Sequence, residues 1–252
     1  MRIRMVIEYD GTAYSGWQLQ AGGDTVQASI EAALHRLFGT PVRLQASGRT
    51  DAGVHALGQV AAFDAPRHFD PLELRRALNA MLPADIVVRE AAEVAATFDA
   101  RRQAVVRVYE YRILNRELRS AFEHRYAWHI AQPLNFPAMQ AAARVFVGRH
   151  DFAAFRTLGT QTKSTVREIY LSQWERRGEL LLYRVEGSSF LRHMVRTMVA
   201  AMVEVGRNRL AVEDLRALLE RGNRAAVPGA APPCGLFLVE VRYPPLPAAG
   251  RA

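Results

Sequence analysis

The sequence predicts an α+β protein, with helices packed on antiparallel sheets and two such layered halves in one chain. Three observations carry this expectation. Stretches that alternate with period two recur along the whole chain, as in "RIRMVIEY", where Ile3, Met5 and Ile7 alternate with Arg2, Arg4 and Val6. Helical stretches with recognisable ends interrupt them, two in each half. The 252 residues, 50% hydrophobic and 23% charged, have globular composition and suffice for one large domain or two smaller ones.

Taken in order, the first strand runs into a turn-rich loop, "DGTAYSGWQLQAGGD". A helix follows over Val26 to Phe38, with Thr25 as N-cap, an apolar face of Val26, Ile30, Ala33, Leu34 and Leu37, and Gly39 as its stop. "PVRLQAS" and "VHALGQVAAF" read as strands on either side of a tight polar turn. The next helix has Asp70 at its N-cap, Pro71 at its first position and Glu73 three residues after the cap, and Pro83 bars its continuation. Strands are expected at "DIVVREAAEV" and "AVVRVYEYRIL"; in the latter Arg107, Tyr109, Tyr111 and Ile113 share one face. "PAMQAAARVFVG" reads as a helix, then "STVREIYLSQWER" and "ELLLYRVEG" as a hairpin through Arg177 and Gly178.

A long helix is expected from Ser188 or Ser189. Phe190, Met194, Met198 and Met202 form one apolar row and Leu191, Val195, Val199 and Val203 the next, with Arg192 and Arg196 beside them. "VEDLRALLERG" is a short helix and "GLFLVEVRY" the last strand. A break near Ala100 to Ala104 divides an N-terminal half, 1–103, from a C-terminal half, 104–243, and 244–252 reads as a disordered tail.

Several classes are excluded or disfavoured. No apolar run approaches the length of a membrane span. "MRIRMVIEYDG" lacks the apolar stretch of a secretory signal. Cys234 is the only cysteine, so neither an internal disulfide nor a cysteine-based zinc cluster can form. A cytoplasmic location is expected. The net charge is +8, and Lys163 is the only lysine among 33 basic residues. Arginine-for-lysine bias does not create a net excess of positive charge, and such an excess favours polyanions, nucleic acid first.

The stretch "GRTDAGVHALGQVAAFD" places Asp51 at the bend of a small turn, between Arg49 and Gly53, with His55 leading into the following strand. An aspartate there can simply be a turn former. Set between two strands, however, it is mounted as rigidly as a catalytic group needs. His55, His150 and His193 have no metal-site spacing, and no HExxH occurs. All three read as structural or RNA-facing.

"GRTDAGVHALGQVAAF" closely resembles the signature block of the tRNA pseudouridine synthase A family. "YDGTAYSGWQLQ", "LNAMLPADIVV" followed by "TFDARRQAVVRVYEYRI", "VGRHDFAAFR", "FLRHMVRTMVAAMVEVGRNR" and "APPCGLFLVEVRY" resemble its other blocks, in the family order and over nearly the whole chain. Arg107 stands where the family often has lysine, and Ala200 where it often has glycine.

The resemblance implies two ferredoxin-like (RRM-like) halves whose antiparallel sheets form a central sheet, with a catalytic cleft between the halves. It implies isomerisation of uridine to pseudouridine in the anticodon stem-loop of tRNA, at family positions 38, 39 and 40, by a homodimer. Asp51 would be the catalytic carboxylate, nucleophile or base, and Arg196 its ion-pair partner. Tyr109 would stack on the uracil, and Arg49 would help to flip the target nucleotide; His55 joins Arg49 and Tyr109 among the substrate-binding candidates. Atoms and electrons balance within the nucleotide, so neither a cofactor nor a metal is expected. Two other readings stay open on residue chemistry: a non-catalytic RNA-binding module of ferredoxin-like fold, and a base-releasing N-glycosylase, which would need a second carboxylate that is not evident near Asp51.

Overall fold

A computed structural model describes residues 1–157, 162–222, 227 and 229–245. The fold is α+β. The chain divides into two compact units, Met1–Val105 together with Leu238–Ala252, and Val106–Phe237.

The first unit holds β1 (Arg2–Tyr9), α1 (Val26–Phe38), β2 (Gln45–Ala46), β3 (His55–Asp64), α2 (Pro71–Met81) and β4 (Ile86–Val94). Most of β10 (Leu236–Arg242) also belongs to it. The strand order is β4-β1-β3-β10, with β2 added to β3. β1 is antiparallel to both neighbours: Met5 faces Ala61 of β3 and Ala91 of β4. The alternation in "RIRMVIEY" is realised, with Ile3, Met5, Ile7 and Tyr9 all buried. Register shifts occur on both sides of β1 near Ile7, between Val6 and Ile7 against β4 and between Ile7 and Tyr9 against β3. Such irregularities bend a strand and redirect the chain beyond it, here the loop that begins at Asp10.

Both helices of this unit start and stop where their caps dictate. Thr25 Oγ1 accepts from Ala28 N, and Gly39 closes α1 at φ 74°. Asp70 accepts from the N–H groups of Leu72 and Glu73, leaving Pro71, which has no N–H, at the first position. Asn79 fastens α2 to β4 by donating to Val88 O (2.9 Å) and accepting from Val88 N (2.8 Å), as a neighbouring strand would. The strand expected over "PVRLQAS" is only the two-residue β2. The reason is local: Glu31 Oε1 takes the Leu44 N–H at 2.9 Å and Gln27 Nε2 donates to Leu44 O at 3.4 Å, so side chains of α1 occupy the groups a ladder would use. A division at 103/104 would leave Leu238–Tyr243 with the C-terminal half. In the structure β10 lies beside β3, Val105 N donates to Arg242 O, and Tyr243 OH donates to Ala100 O.

The second unit holds β5 (Val106–Asn115), β6 (Trp128–Ile130), α3 (Phe136–Arg144), β7 (Gly148–Asp151), β8 (Val166–Arg177), β9 (Leu180–Gly187), α4 (Met194–Gly206) and α5 (Val212–Arg221). Its strands run β5-β9-β8-β7, antiparallel throughout, and Gly178 at φ 60° makes the β8–β9 hairpin. β6 adds to β5 in parallel, so the sheet is mixed. β6 and β7 are too short to announce themselves by alternation. The helix expected through Gly148 ends at Arg144, and Gly148, at φ 108°, instead opens β7. α4 is buried nearly all round. Gly206 at its end lies so close to Met139 of α3 that a Cβ would meet the sulfur at 2.7 Å.

The start of α4 differs from expectation. It begins at Met194, after His193 in left-handed backbone (φ 62°), and not at Ser188 or Ser189. Tertiary bonds claim the intervening residues. Ser188 N donates to Glu168 O and Ser188 O accepts from Arg107 Nη1, while Arg192 O accepts from Thr157 N. Among the described residues no helix is long and apolar enough to cross a membrane. Of the expected tail at 244–252, residues 246–252 lie outside the described residues.

Candidate active site

Asp51 sits at the first position of a four-residue turn. Val54 N donates to Asp51 O at 3.2 Å, and Gly53 at φ 73° takes the left-handed position that closes it. What fixes this turn is the loop from Asp10 to Trp17. Trp17 N donates to Thr50 O (3.2 Å), and Gly53 N donates to Tyr14 O (3.2 Å), so the loop holds the backbone on both sides of Asp51. Below it, Tyr9 OH and Thr50 Oγ1 share a buried 2.7 Å hydrogen bond.

The loop is close enough to the turn to demand glycine twice. A Cβ at Gly11 would lie 2.0 Å from Val54 O, and one at Gly16 would lie 2.6 Å from Thr50 O. The loop is itself held from behind by α1, whose first N–H groups have no partner within the helix. Val26 N donates to Gly16 O and Gln27 N to Trp17 O. At its outer end Tyr14 OH donates to Asp85 at 2.7 Å; burial first, and then this carboxylate, push the phenol pKa well above its ordinary value. On the far side, Ser47 Oγ bonds Gln59 Oε1 at 2.7 Å, and Gln59 Nε2 donates to Gly48 O at 3.0 Å. The carboxylate turn is thus clamped through its main chain.

Arg49 is exposed at the entry to the turn. His55, a substrate-binding candidate from the sequence, is 1% exposed. Its Nδ1 lies 3.1 Å from Gly11 N and 3.1 Å from Asp10 Oδ1. The same nitrogen cannot accept from one and donate to the other. The Gly11 N–H points at it, and Asp10 Oδ1 already accepts from Thr12 N and Thr12 Oγ1. Nδ1 is therefore the acceptor, and the ring is a strut between loop and strand.

In the second unit, Tyr109 is half-buried on β5 and meets Phe190 edge to face, with ring centroids 5.1 Å apart at 81°. Tyr111, two residues on, is fully buried and donates to Pro232 O at 2.8 Å. Burial raises its phenol pKa far above the usual range, so it is a packing residue. Arg196, one turn into α4, donates through Nε to Ala231 O at 2.7 Å, while Ala231 N donates back to Arg196 O at 3.0 Å. This explains "APPCG": Ala231 grips the arginine, Pro232 takes the Tyr111 hydroxyl, and Gly235 lets the segment approach β5, where a Cβ would stand 2.6 Å from Arg112 O.

Arg49, Asp51 and His55 belong to the first unit, and Tyr109 and Arg196 to the second. Gly11, Gly16, Thr50 and Ala231 escape residue-by-residue reading because their contribution is backbone contact. The one visible signal is glycine in "YDGTAYSGWQ". Among the described residues, no group of three or more histidines, cysteines, aspartates or glutamates could hold a metal ion.

This carboxylate turn lies in the first part of a match to the family model described as tRNA pseudouridine synthase, which covers residues 5–101 and 142–244. Curated relatives agree along almost their full length. The tRNA pseudouridine synthase A of Geotalea uraniireducens is 46% identical over 242 residues, spanning 96% of this chain and 99% of that one. The protein of the same name from Agrobacterium fabrum is 43% identical over 246 residues, spanning 96% and 92%. A solved archaeal box H/ACA sRNP Nop10-Cbf5 complex is similar at 12% identity and a TM-score of 0.38, covering 93% of this chain and 59% of that one, too loose a likeness to weigh on fold or function. The chain is an isomerase that makes pseudouridine, not a binding module alone. It belongs to the tRNA pseudouridine synthase family.

Proposed function

We propose that the chain isomerises uridines in the anticodon stem-loop of tRNA, at family positions 38, 39 and 40, with Asp51 as the acting carboxylate. The observation that carries this reading is the main-chain clamp on the Asp51 turn, in which two loop contacts flank the residue and close approach requires two glycines. Binding alone gains nothing from fixing one carboxylate so firmly; chemistry at one carbon does.

The reaction breaks the bond from uracil N1 to ribose C1′, turns the detached base, and joins C5 to C1′. The hydrogen on C5 leaves as a proton, and N1 ends protonated. Asp51 serves either by attacking the nucleotide, holding it covalently while the base turns, or by removing a ribose proton so that a glycal forms. Arg196 is read as the cationic partner of the acting carboxylate. Tyr109, braced by Phe190, stacks on the uracil, because stacking tolerates rotation in the plane of the rings. Arg49, exposed beside the turn, helps to extrude the target nucleotide. No step calls for a metal or a redox cofactor.

Each unit is read as a ferredoxin-like half; the four-strand run with helices in each supports this. The working form is read as a cytoplasmic homodimer engaging the anticodon arm of tRNA.

Incubation of the purified chain with an unmodified tRNA transcript, followed by mapping of pseudouridine by position, tests the reading. Modification at 38–40 is the expected result. Modification elsewhere overturns the site assignment, and free uracil as main product favours an N-glycosylase. The net charge of +8 adds a second expectation, since phosphate contacts release counterions. Affinity for tRNA should fall by about tenfold or more between 50 and 200 mM salt; a flat salt profile in a binding titration would contradict it.

A further inference from the structure

Two non-glycine residues among those described have left-handed backbone, Asn208 and His193. Asparagine enters that region readily, whereas a larger side chain stays there only when its surroundings hold it. His193, at φ 62° and ψ 1°, is the last residue before α4. It is held from two directions. Thr157 N donates to Arg192 O at 3.2 Å, and Thr157 Oγ1 lies 2.8 Å from His193 Nδ1. The same threonine therefore grips the main chain just before His193 and the ring of His193 itself. On its other side His193 O accepts from Thr197 N at 2.9 Å, which starts the helix.

Arg196 stands three residues further on, its own Nε and carbonyl both engaged by Ala231. As the third residue of α4, Arg196 has its backbone placed by the helix start and its Nε by the Ala231 carbonyl. The periodicity of Phe190 and Leu191 favours helix across 188–193, and such a chain would enter α4 along its axis. The left-handed residue instead turns the chain sharply at His193.

We propose that His193 and Thr157 are positioning residues for the isomerisation: their hydrogen bond holds the left-handed backbone that sets the start of α4 and, through it, the aim of Arg196. Neither residue touches the reacting atoms. The proposal rests on Arg196 being the partner of Asp51.

The test uses the full chain and an unmodified tRNA transcript, with single-turnover rate, tRNA Kd and Tm measured for each variant. His193→Ala and Thr157→Val each break the hydrogen bond. Each is expected to slow the chemical step by about 10- to 100-fold, the scale of a small misplacement of a reacting group. Their tRNA Kd should stay within about threefold, because uniform binding is untouched. The double variant should be no slower than the slower single variant, since both remove one interaction. His193→Gly accepts the backbone without strain but lacks the ring, and is expected to fall between His193→Ala and the native chain. His193→Asn, which tolerates the left-handed region and offers a polar group, and Thr157→Ser, which keeps the hydroxyl, should recover most of the rate. Thr157→Val is isosteric and keeps the test decisive where His193→Ala does not fold. Full rate in both single variants, slowing that multiplies in the double variant, or His193→Asn as slow as His193→Ala would overturn the proposal. Arg196→Ala separates the two levels. Full rate there removes the reading of Arg196, whereas an inactive Arg196→Ala beside fully active His193→Ala and Thr157→Val removes only the positioning role.

Discussion

Asp51→Asn is expected to bind tRNA as the native chain does and to form no pseudouridine. The substitution is nearly isosteric, and the clamp on the turn runs through the main-chain atoms of Thr50, Asp51 and Gly53, which it leaves alone. The amide can neither attack the nucleotide nor accept a ribose proton. The single-turnover rate should fall by about 10⁴-fold or more, the scale seen when an acting group is removed from its site. Uracil tritiated at C5 gives the readout, because that hydrogen leaves only when C5 bonds to C1′. Retained Kd with lost tritium release is the expected pair of results. Release at the native rate would show that another group does the chemistry.

Gly11→Ala should be nearly as damaging although Gly11 carries no functional group. Its Cβ would stand 2.0 Å from the Val54 carbonyl oxygen and 2.6 Å from the Val54 carbonyl carbon. Those are main-chain atoms at the end of the Asp51 turn, and no flexible side chain is available to yield. Either the loop moves off the turn or the turn moves off β3. The cost belongs with the exceptional destabilisations, roughly 4 kcal/mol or more. In a chain of this length that amounts to about 10 °C in Tm, and the turnover of whatever remains folded should fall as well. Gly229→Ala is the control, because nothing lies within 4 Å of a Cβ there. A Gly11→Ala protein with native Tm and native rate would mean that the loop does not brace Asp51.

Elements whose ends are written in side-chain chemistry were legible in the sequence. α1 spans Val26–Phe38 and α2 begins at Pro71 as their caps require, because the capping groups Thr25, Gly39 and Asp70 act within a few residues of themselves. β1 was legible because Ile3, Met5 and Ile7 face one core from one strand. The failures have the opposite character. The late start of α4 depends on Arg107, Thr157 and Glu168, each distant in sequence from the residues it holds. β2 is short because Glu31 and Gln27 occupy the Leu44 backbone, which no pattern in "PVRLQAS" reveals. At the site, the motifs around Asp51 and Arg196 made both candidates. The burial of His55 was not legible, since a histidine beside such a turn reads equally well as a strut or as a contact.

The strand order β4-β1-β3-β10 also has a consequence in time. The fourth strand of the first unit is encoded at the other end of the chain. As the polypeptide leaves the ribosome, the edge of β3 that β10 will cover is met only by the two residues of β2 until the whole of Val106–Phe237 has been made. An open edge invites pairing with a stranger. The strand into which the Asp51 turn leads is therefore sealed only after the second unit has been translated, and a product broken off before β10 would carry the Asp51 turn without its finished support.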